Sequence, residues 1–328
     1  MILFRCDSSN VIGTGHIIRC LRLAAIIKKI GHEVSFFCLD LTGNISQFIL
    51  QAGFSLQILE SESEIIEQMR KVSPEWVVVD HYNLDRKWEE SLGPETKIFV
   101  VDDLANREHN CDVLLDQNYR KNYNLYSNKV SRETRLLLGP NFCLLDEALH
   151  RGNTKYEIQK VPQIVCFFGG IDATGELLKL MEQIPGNSVF QYHLVCLGSH
   201  LYLNSLLSFK RHPNTTLHVN NTHWKNLLGS ADFYIGSGGT VTWERLFLGI
   251  PGAVITVAEN QIGPTKDLAE DGYQFYWGHT GQIDYSSIDS QLIQLFSDSE
   301  FLYKMSSKSI GLVKKFNFDL AKEIFGLP

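Results

Sequence analysis

Trp76-Val77-Val78-Val79 runs four apolar residues together with no polar residue between them, and Asp80 closes the run. Successive side chains of a strand point to opposite faces, so such a run needs apolar cover on both faces of its sheet. Helices packed on either side of parallel strands provide that cover, each strand being reached by a helical crossover. The pattern recurs along the chain. Strands are expected at 2–6, 34–39, 54–59, 76–80, 97–102, 112–116 and 135–139, with helical spacing of apolar residues near 16–30, 44–52, 62–72 and 85–92. A polar stretch at 150–162 ends in Val161-Pro162, and the alternation then restarts. Further strands are expected at 163–168, 191–197, 215–219, 232–236, 253–257 and 273–277. Helices are expected near 174–184, 200–208, 223–230, 241–248, 264–271, 287–297 and 300–325. The expected fold is α/β, with two doubly wound Rossmann-like domains, 1–155 and 156–328, and a cleft between them. A chain of 328 residues, 44% of them hydrophobic, is long enough for two such cores.

The formal net charge of −7 argues against a general nucleic-acid-binding surface and against stable association with an anionic membrane. No apolar run has the length of a bilayer span, and the first residues lack the basic and apolar regions of a signal peptide, so a cytoplasmic protein is expected. The seven cysteines, at 6, 20, 38, 111, 143, 166 and 196, are odd in number and have no CxxC spacing. Several lie inside apolar runs and read as buried thiols rather than disulfides or zinc ligands. A monomer is expected.

Ligands of doubly wound sheets bind beyond the carboxyl ends of the strands, so residues that follow strands carry the functional reading. Gly13-Thr14-Gly15-His16 follows the first strand and opens a helix. A helix N-terminus attracts anions and disfavours an imidazolium, which would leave His16 a neutral base, while Gly13 and Gly15 allow close approach to the backbone. A tight turn capped by a histidine gives the same pattern. Ile18 stands where a dinucleotide fingerprint has its third glycine, so no nicotinamide cofactor is expected. Gly236-Ser237-Gly238-Gly239-Thr240 leads into a second helix whose first turns include Glu244. Backbone N–H groups there suit a diphosphate and Glu244 suits ribose hydroxyls, although a packing turn and a dipole-complementing carboxylate read equally well. Asn260 and Gln261 follow another strand as paired amides, or as caps of the next helix. Phe168-Gly169-Gly170-Ile171-Asp172 forms a further strand-end turn in which Asp172 reads as a helix cap. Asp80-His81-Tyr82 and Asp102-Asp103 end two more strands. The first is either a functional cluster or a buried support. The acidic pair reads as a turn, and no metal is expected.

Together these residues resemble the UDP-sugar hydrolase family of pseudaminic acid biosynthesis, from residue 1 to about 280. The resemblance is carried by Arg5, Asp7, Ser8, Gly13, Gly15, His16 and Arg19, by Asp80-His81-Tyr82, by Asp102-Asp103, and by Gly139–Phe142 with Leu144-Leu145. In the second half, Gly238-Gly239-Thr240, Trp243-Glu244-Arg245, Gly249-Ile250-Pro251 and Asn260-Gln261 are similar to the nucleotide-binding half of GT-B glycosyltransferases. The segment Asp146-Glu147-Ala148 departs from the arginine-proline-glutamate frequent in the hydrolases. The resemblance implies a GT-B fold, a small-molecule UDP-sugar as partner and no cofactor. It also implies His16 as general base and substrate contacts from Asn260. Asp7, Gly15, Tyr82, Gly169, Gly238, Gly239, Thr240, Glu244 and Gln261 complete the expected substrate-binding set. Two alternatives stay open: a GT-B glycosyltransferase that needs an acceptor, and a non-catalytic sugar-nucleotide binder in which His16 is dispensable.

Overall fold

A computed structural model describes residues 1–151 and 156–327. The chain divides into two compact units, Met1–Glu147 together with the segment from Lys314, and Ala148–Val313.

In the first unit, seven strands β1 (Ile2–Cys6), β2 (Val34–Leu39), β3 (Ser55–Leu59), β4 (Trp76–Asp80), β5 (Lys97–Val101), β6 (Val113–Asp116) and β7 (Arg135–Leu138) form one parallel sheet in the order β3-β2-β1-β4-β5-β6-β7. Helices α1 (Gly15–Lys29), α2 (Gln47–Gln51), α3 (Glu62–Val72) and α4 (Arg86–Glu90) connect the early strands. Alternate residues of one strand serve different cores. Ile2, Phe4 and Cys6 of β1 pack with Ile17, Cys20, Leu23 and Ala24 of α1, whereas Leu3 packs with Ile65 and Met69 of α3. The strand order reverses between β1 and β4, and ligands of doubly wound sheets bind at such a switch point.

The second unit repeats the plan with β8 (Gln163–Phe167), β9 (Gln191–Cys196), β10 (Thr215–Val219), β11 (Phe233–Gly236), β12 (Gly252–Thr256) and β13 (Phe275–His279), in the parallel order β10-β9-β8-β11-β12-β13. Its helices are α5 (Glu176–Gln183), α6 (Leu203–Ser208), α7 (Trp224–Gly229), α8 (Val241–Leu248), α9 (Glu259–Glu270), α10 (Ile288–Ser297) and α11 (Ser299–Ser309). Its order reverses between β8 and β11.

The carboxyl-terminal helix expected over 300–325 is two helices. α11 ends at Ser309, Gly311 takes a φ of 100°, and α12 (Phe318–Phe325) starts afresh, its N-cap Asn317 accepting from Leu320 N at 2.9 Å. α12 belongs to the first unit. Phe325 lies 5.0 Å from the Trp76 ring and 5.6 Å from Phe99, and Phe316 and Ala321 join the same core. The division expected at 155/156 therefore falls at 147/148, and the last helix changes unit. Periodicity shows that a helix has an apolar face, not which sheet that face covers.

The seven cysteines are free, six of them buried. No helix among the described residues is long and apolar enough to cross a membrane.

Candidate active site

β1 and β4 pair side by side with Cys6 opposite Asp80, so the residues that follow them emerge together at the switch point. After β1 the chain makes a turn in which Ser9 Oγ accepts from Val11 N and Ile12 N, and Gly13 N donates to Ser9 O at 2.8 Å. Gly13 takes a φ of 81° to close it. Gly15 and His16 then open α1. His16 is 4% exposed, and its Nδ1 lies 2.5 Å from Asp80 Oδ1. An ionised carboxylate only accepts hydrogen bonds, so Nδ1 carries a proton and donates it to Asp80. Among the described residues Nε2 has no hydrogen-bond partner.

Asp80 is fully buried and held from its other side by Arg19, one helical turn beyond His16. Arg19 Nε donates to Oδ2 and Nη2 to Oδ1, both at 2.6 Å. Burial alone would raise the Asp80 carboxyl, but the Arg19 and His16 charges and hydrogen bonds outweigh it and hold it well below the carboxylate range. Arg19 Nη1 also reaches Asp103 Oδ2 at 2.8 Å, and Tyr82 OH donates to the same oxygen at 3.3 Å. The Tyr82 ring meets the imidazole edge to face, with centroids 4.6 Å apart. The histidine is thus fixed at Nδ1 by a carboxylate and on its face by an aromatic ring.

The sequence signals separate here into two groups. Asp80 and Tyr82 turn towards His16, while His81 turns to Asp7, its Nε2 3.3 Å from Asp7 Oδ2. Asp7 also accepts from Arg5 Nη2 and Leu39 N, each at 2.8 Å, so both its oxygens are engaged by the protein. Asp7, Glu62 and His81 each bring a ligand atom within 4.8 Å of the others, a spacing that would suit a cation. The Arg5 guanidinium, which donates to both carboxylates, supplies the positive charge there instead. Asp102 braces its loop through Ala105 N, Tyr126 OH and Arg107 Nη1. The pairing of Asp80 with His16 was not foreseen. Both residues were visible at strand ends, but only the β1–β4 register brings them together.

The second unit has its own strand-end cluster. After β8, Gly169 takes a φ of 105°; Gly175 rather than Asp172 holds the N-cap position of α5, while the two Asp172 carboxylate oxygens accept from Glu176 N at 3.0 Å and Leu177 N at 2.9 Å. After β11, the turn Gly236–Thr240 leads into α8, where Thr242 N donates to Gly239 O at 3.0 Å and Trp243 N to Thr240 O at 3.2 Å. The glycines differ in purpose. A Cβ on Gly236 would sit 2.1 Å from Phe167 O, and one on Gly238 2.7 Å from Thr265 Oγ1, so these two permit packing. A Cβ on Gly239 would meet nothing nearer than Ser237 Oγ at 3.9 Å, so its bareness is not required by the fold. Gly236→Ala is expected to lower stability by about 1–3 kcal/mol through overpacking. Gly239→Ala is expected to leave the melting temperature unchanged. Thermal unfolding of both variants checks this contrast.

Glu244 lies one turn into α8, 3% exposed, and its Oε2 accepts from Trp224 Nε1. α9 begins at Glu259, earlier than expected, and carries Pro264 inside it, which places Asn260 and Gln261 in its first turn. Gln261 Oε1 accepts from Val257 N at 3.0 Å, a group that lies ahead of the N-cap residue Ala258.

No protein-family model matches the chain. The chain is 29% identical over 278 residues to the UDP-2,4-diacetamido-2,4,6-trideoxy-beta-L-altropyranose hydrolase of Campylobacter jejuni, covering 83% of this chain and 97% of that one. The chain is a relative of that hydrolase. MurG of Acinetobacter baumannii superposes with a TM-score of 0.66 at 12% identity, covering 98% of each chain. The glycosyltransferase SsfS6 of a Streptomyces species superposes with a TM-score of 0.63 at 10% identity, covering 99% of each. These two likenesses establish the GT-B, glycosyltransferase-like fold of this hydrolase relative.

Proposed function

We propose that the protein hydrolyses a UDP-linked diacetamido-trideoxyhexose to the free sugar and UDP, in the synthesis of pseudaminic acid. The observation that carries this reading is the His16–Asp80 pair, built at the switch point of a chain similar to such a hydrolase along most of its length. His16 Nε2 takes a proton from water as the water oxygen bonds to the anomeric carbon, and the bond from that carbon to the diphosphate oxygen breaks. Asp80 stabilises the imidazolium that forms, as a carboxylate behind a histidine base does in other hydrolases. UDP leaves as a weakly basic diphosphate, so no strong general acid is needed. This differs from the paired-carboxylate glycosidases. Backbone N–H groups at Gly239 and Thr240, at the start of α8, stabilise the charge growing on the diphosphate. Glu244 accepts from the ribose, and Asn260 contacts the substrate. Attack opposite the leaving group gives inversion at the anomeric carbon.

The reading is tested by mixing the protein with the UDP-linked sugar in buffer, water being the one acceptor, and following UDP release. Rapid release is expected, with the inverted anomer as first product by NMR. A second reading, sugar transfer to an acceptor, is favoured by the glycosyltransferase fold. It predicts no release until a sugar or lipid acceptor is added, and that result would overturn the hydrolase assignment.

A further inference from the structure

A carboxylate buried as deeply as that of Glu244 adopts the direction its hydrogen bonds impose. One of those bonds comes from a residue that no strand-end motif contains. Trp224, the first residue of α7, donates its indole N–H to Glu244 Oε2 at 2.8 Å. Packing rather than solvent sets the direction of that N–H. The indole lies against Phe167 at the end of β8, with centroids 5.3 Å apart, and against the core that includes Val165, Leu228 and Val241. The ring is half-buried and offers a single donor and no acceptor. A carboxylate has about four lone-pair sites, so it can accept from an indole and from other donors at the same time.

We infer that Trp224 is a positioning residue for ribose recognition: its indole N–H holds the Glu244 carboxylate in the orientation that accepts the nucleotide's ribose hydroxyls. The inference rests on the reading of Glu244 as the ribose acceptor. It explains why a tryptophan stands at the start of a six-residue helix beyond β10, where a smaller apolar residue would fill the core position but donate nothing.

The test is the ratio of affinities for UDP and for 2′,3′-dideoxy-UDP, measured by calorimetry on wild type, Trp224→Phe, Glu244→Gln and Glu244→Asp. Wild type is expected to prefer UDP. Trp224→Phe keeps an aromatic ring but removes the donor, and should lower that preference by about tenfold through weaker binding of UDP, with dideoxy-UDP bound as before. A purely structural tryptophan would instead weaken both ligands equally, and that outcome overturns the inference. Glu244→Asp draws the carboxylate back from the indole without touching the tryptophan, and should show the same selective loss even if Trp224→Phe does not fold. An undiminished preference in Trp224→Phe or in Glu244→Asp also overturns the inference. The underlying reading fails separately, if wild type shows no preference or if Glu244→Gln retains it.

Discussion

His16→Ala is expected to lower kcat for UDP release by about 100- to 10,000-fold, the usual contribution of a positioned general base. UDP affinity should stay within about twofold of wild type, because the groups assigned to the nucleotide lie in the second unit on α8 and α9. Steady-state kinetics together with calorimetric titration of UDP separate the two quantities. A non-catalytic binder would show no rate to lose, and an enzyme using another base would keep most of it. Stability should fall by about 1–3 kcal/mol, because the alanine removes a buried ring and its hydrogen bond to Asp80. The Asp80 carboxylate left behind retains both hydrogen bonds from Arg19.

Asp80→Asn tests the orientation of that base, and its expected effect on kcat is of the same order, about 100- to 10,000-fold. Asp80 Oδ1 now accepts from both His16 Nδ1 and Arg19 Nη2, and Oδ2 accepts from Arg19 Nε. An amide has one accepting end and one donating end. Placed with its oxygen towards His16, it drives an N–H against Arg19 Nε. Flipped, it donates to Nδ1 and moves the imidazole proton to Nε2, where the base is needed. The substitution also takes from Arg19 a fully buried counter-charge, and breaking a buried pair in this way costs about 3–5 kcal/mol, with Asp103 as the remaining partner. The pH dependence has a definite sign. The folded carboxyl titrates below its ordinary value of 3.8, so its stabilisation is present above that value and is lost as pH falls below it. The stability deficit of Asp80→Asn should therefore be complete at neutral pH and close only in strong acid. Unfolding in denaturant at several pH values reads this directly. Wild-type activity in Asp80→Asn would mean that His16 needs no carboxylate behind it.

Much of the fold was legible because strand positions follow from local chemistry. Trp76-Val77-Val78-Val79 cannot be half-exposed, and β4 occupies Trp76–Asp80 as expected. Helix boundaries were less legible where side chains reach back to the backbone. A helix is expected near 264–271, but Gln261 Oε1 accepts from Val257 N and the helix begins at Glu259. Of the candidate site residues, His16 and Tyr82 proved to be in ring contact, while Asp7 proved to be engaged on both oxygens by Arg5, Leu39 and His81. Nothing in the spacing of Asp7, Asp80 and Asp102 separates the carboxylate that faces the histidine from those that brace loops.

The order of residues along the chain was enough to determine two parallel sheets, a histidine at the head of α1 and glycine turns after β8 and β11, because each depends on neighbours within a few positions. Three matters were decided by tertiary structure alone: Asp80 behind His16, Trp224 on Glu244, and α12 returning to the first sheet. Each joins residues 20 or more positions apart. Such a pair exists only once strand register and helix packing have set its distance, and hydrogen bonds and buried contacts depend on that distance rather than on position in the chain.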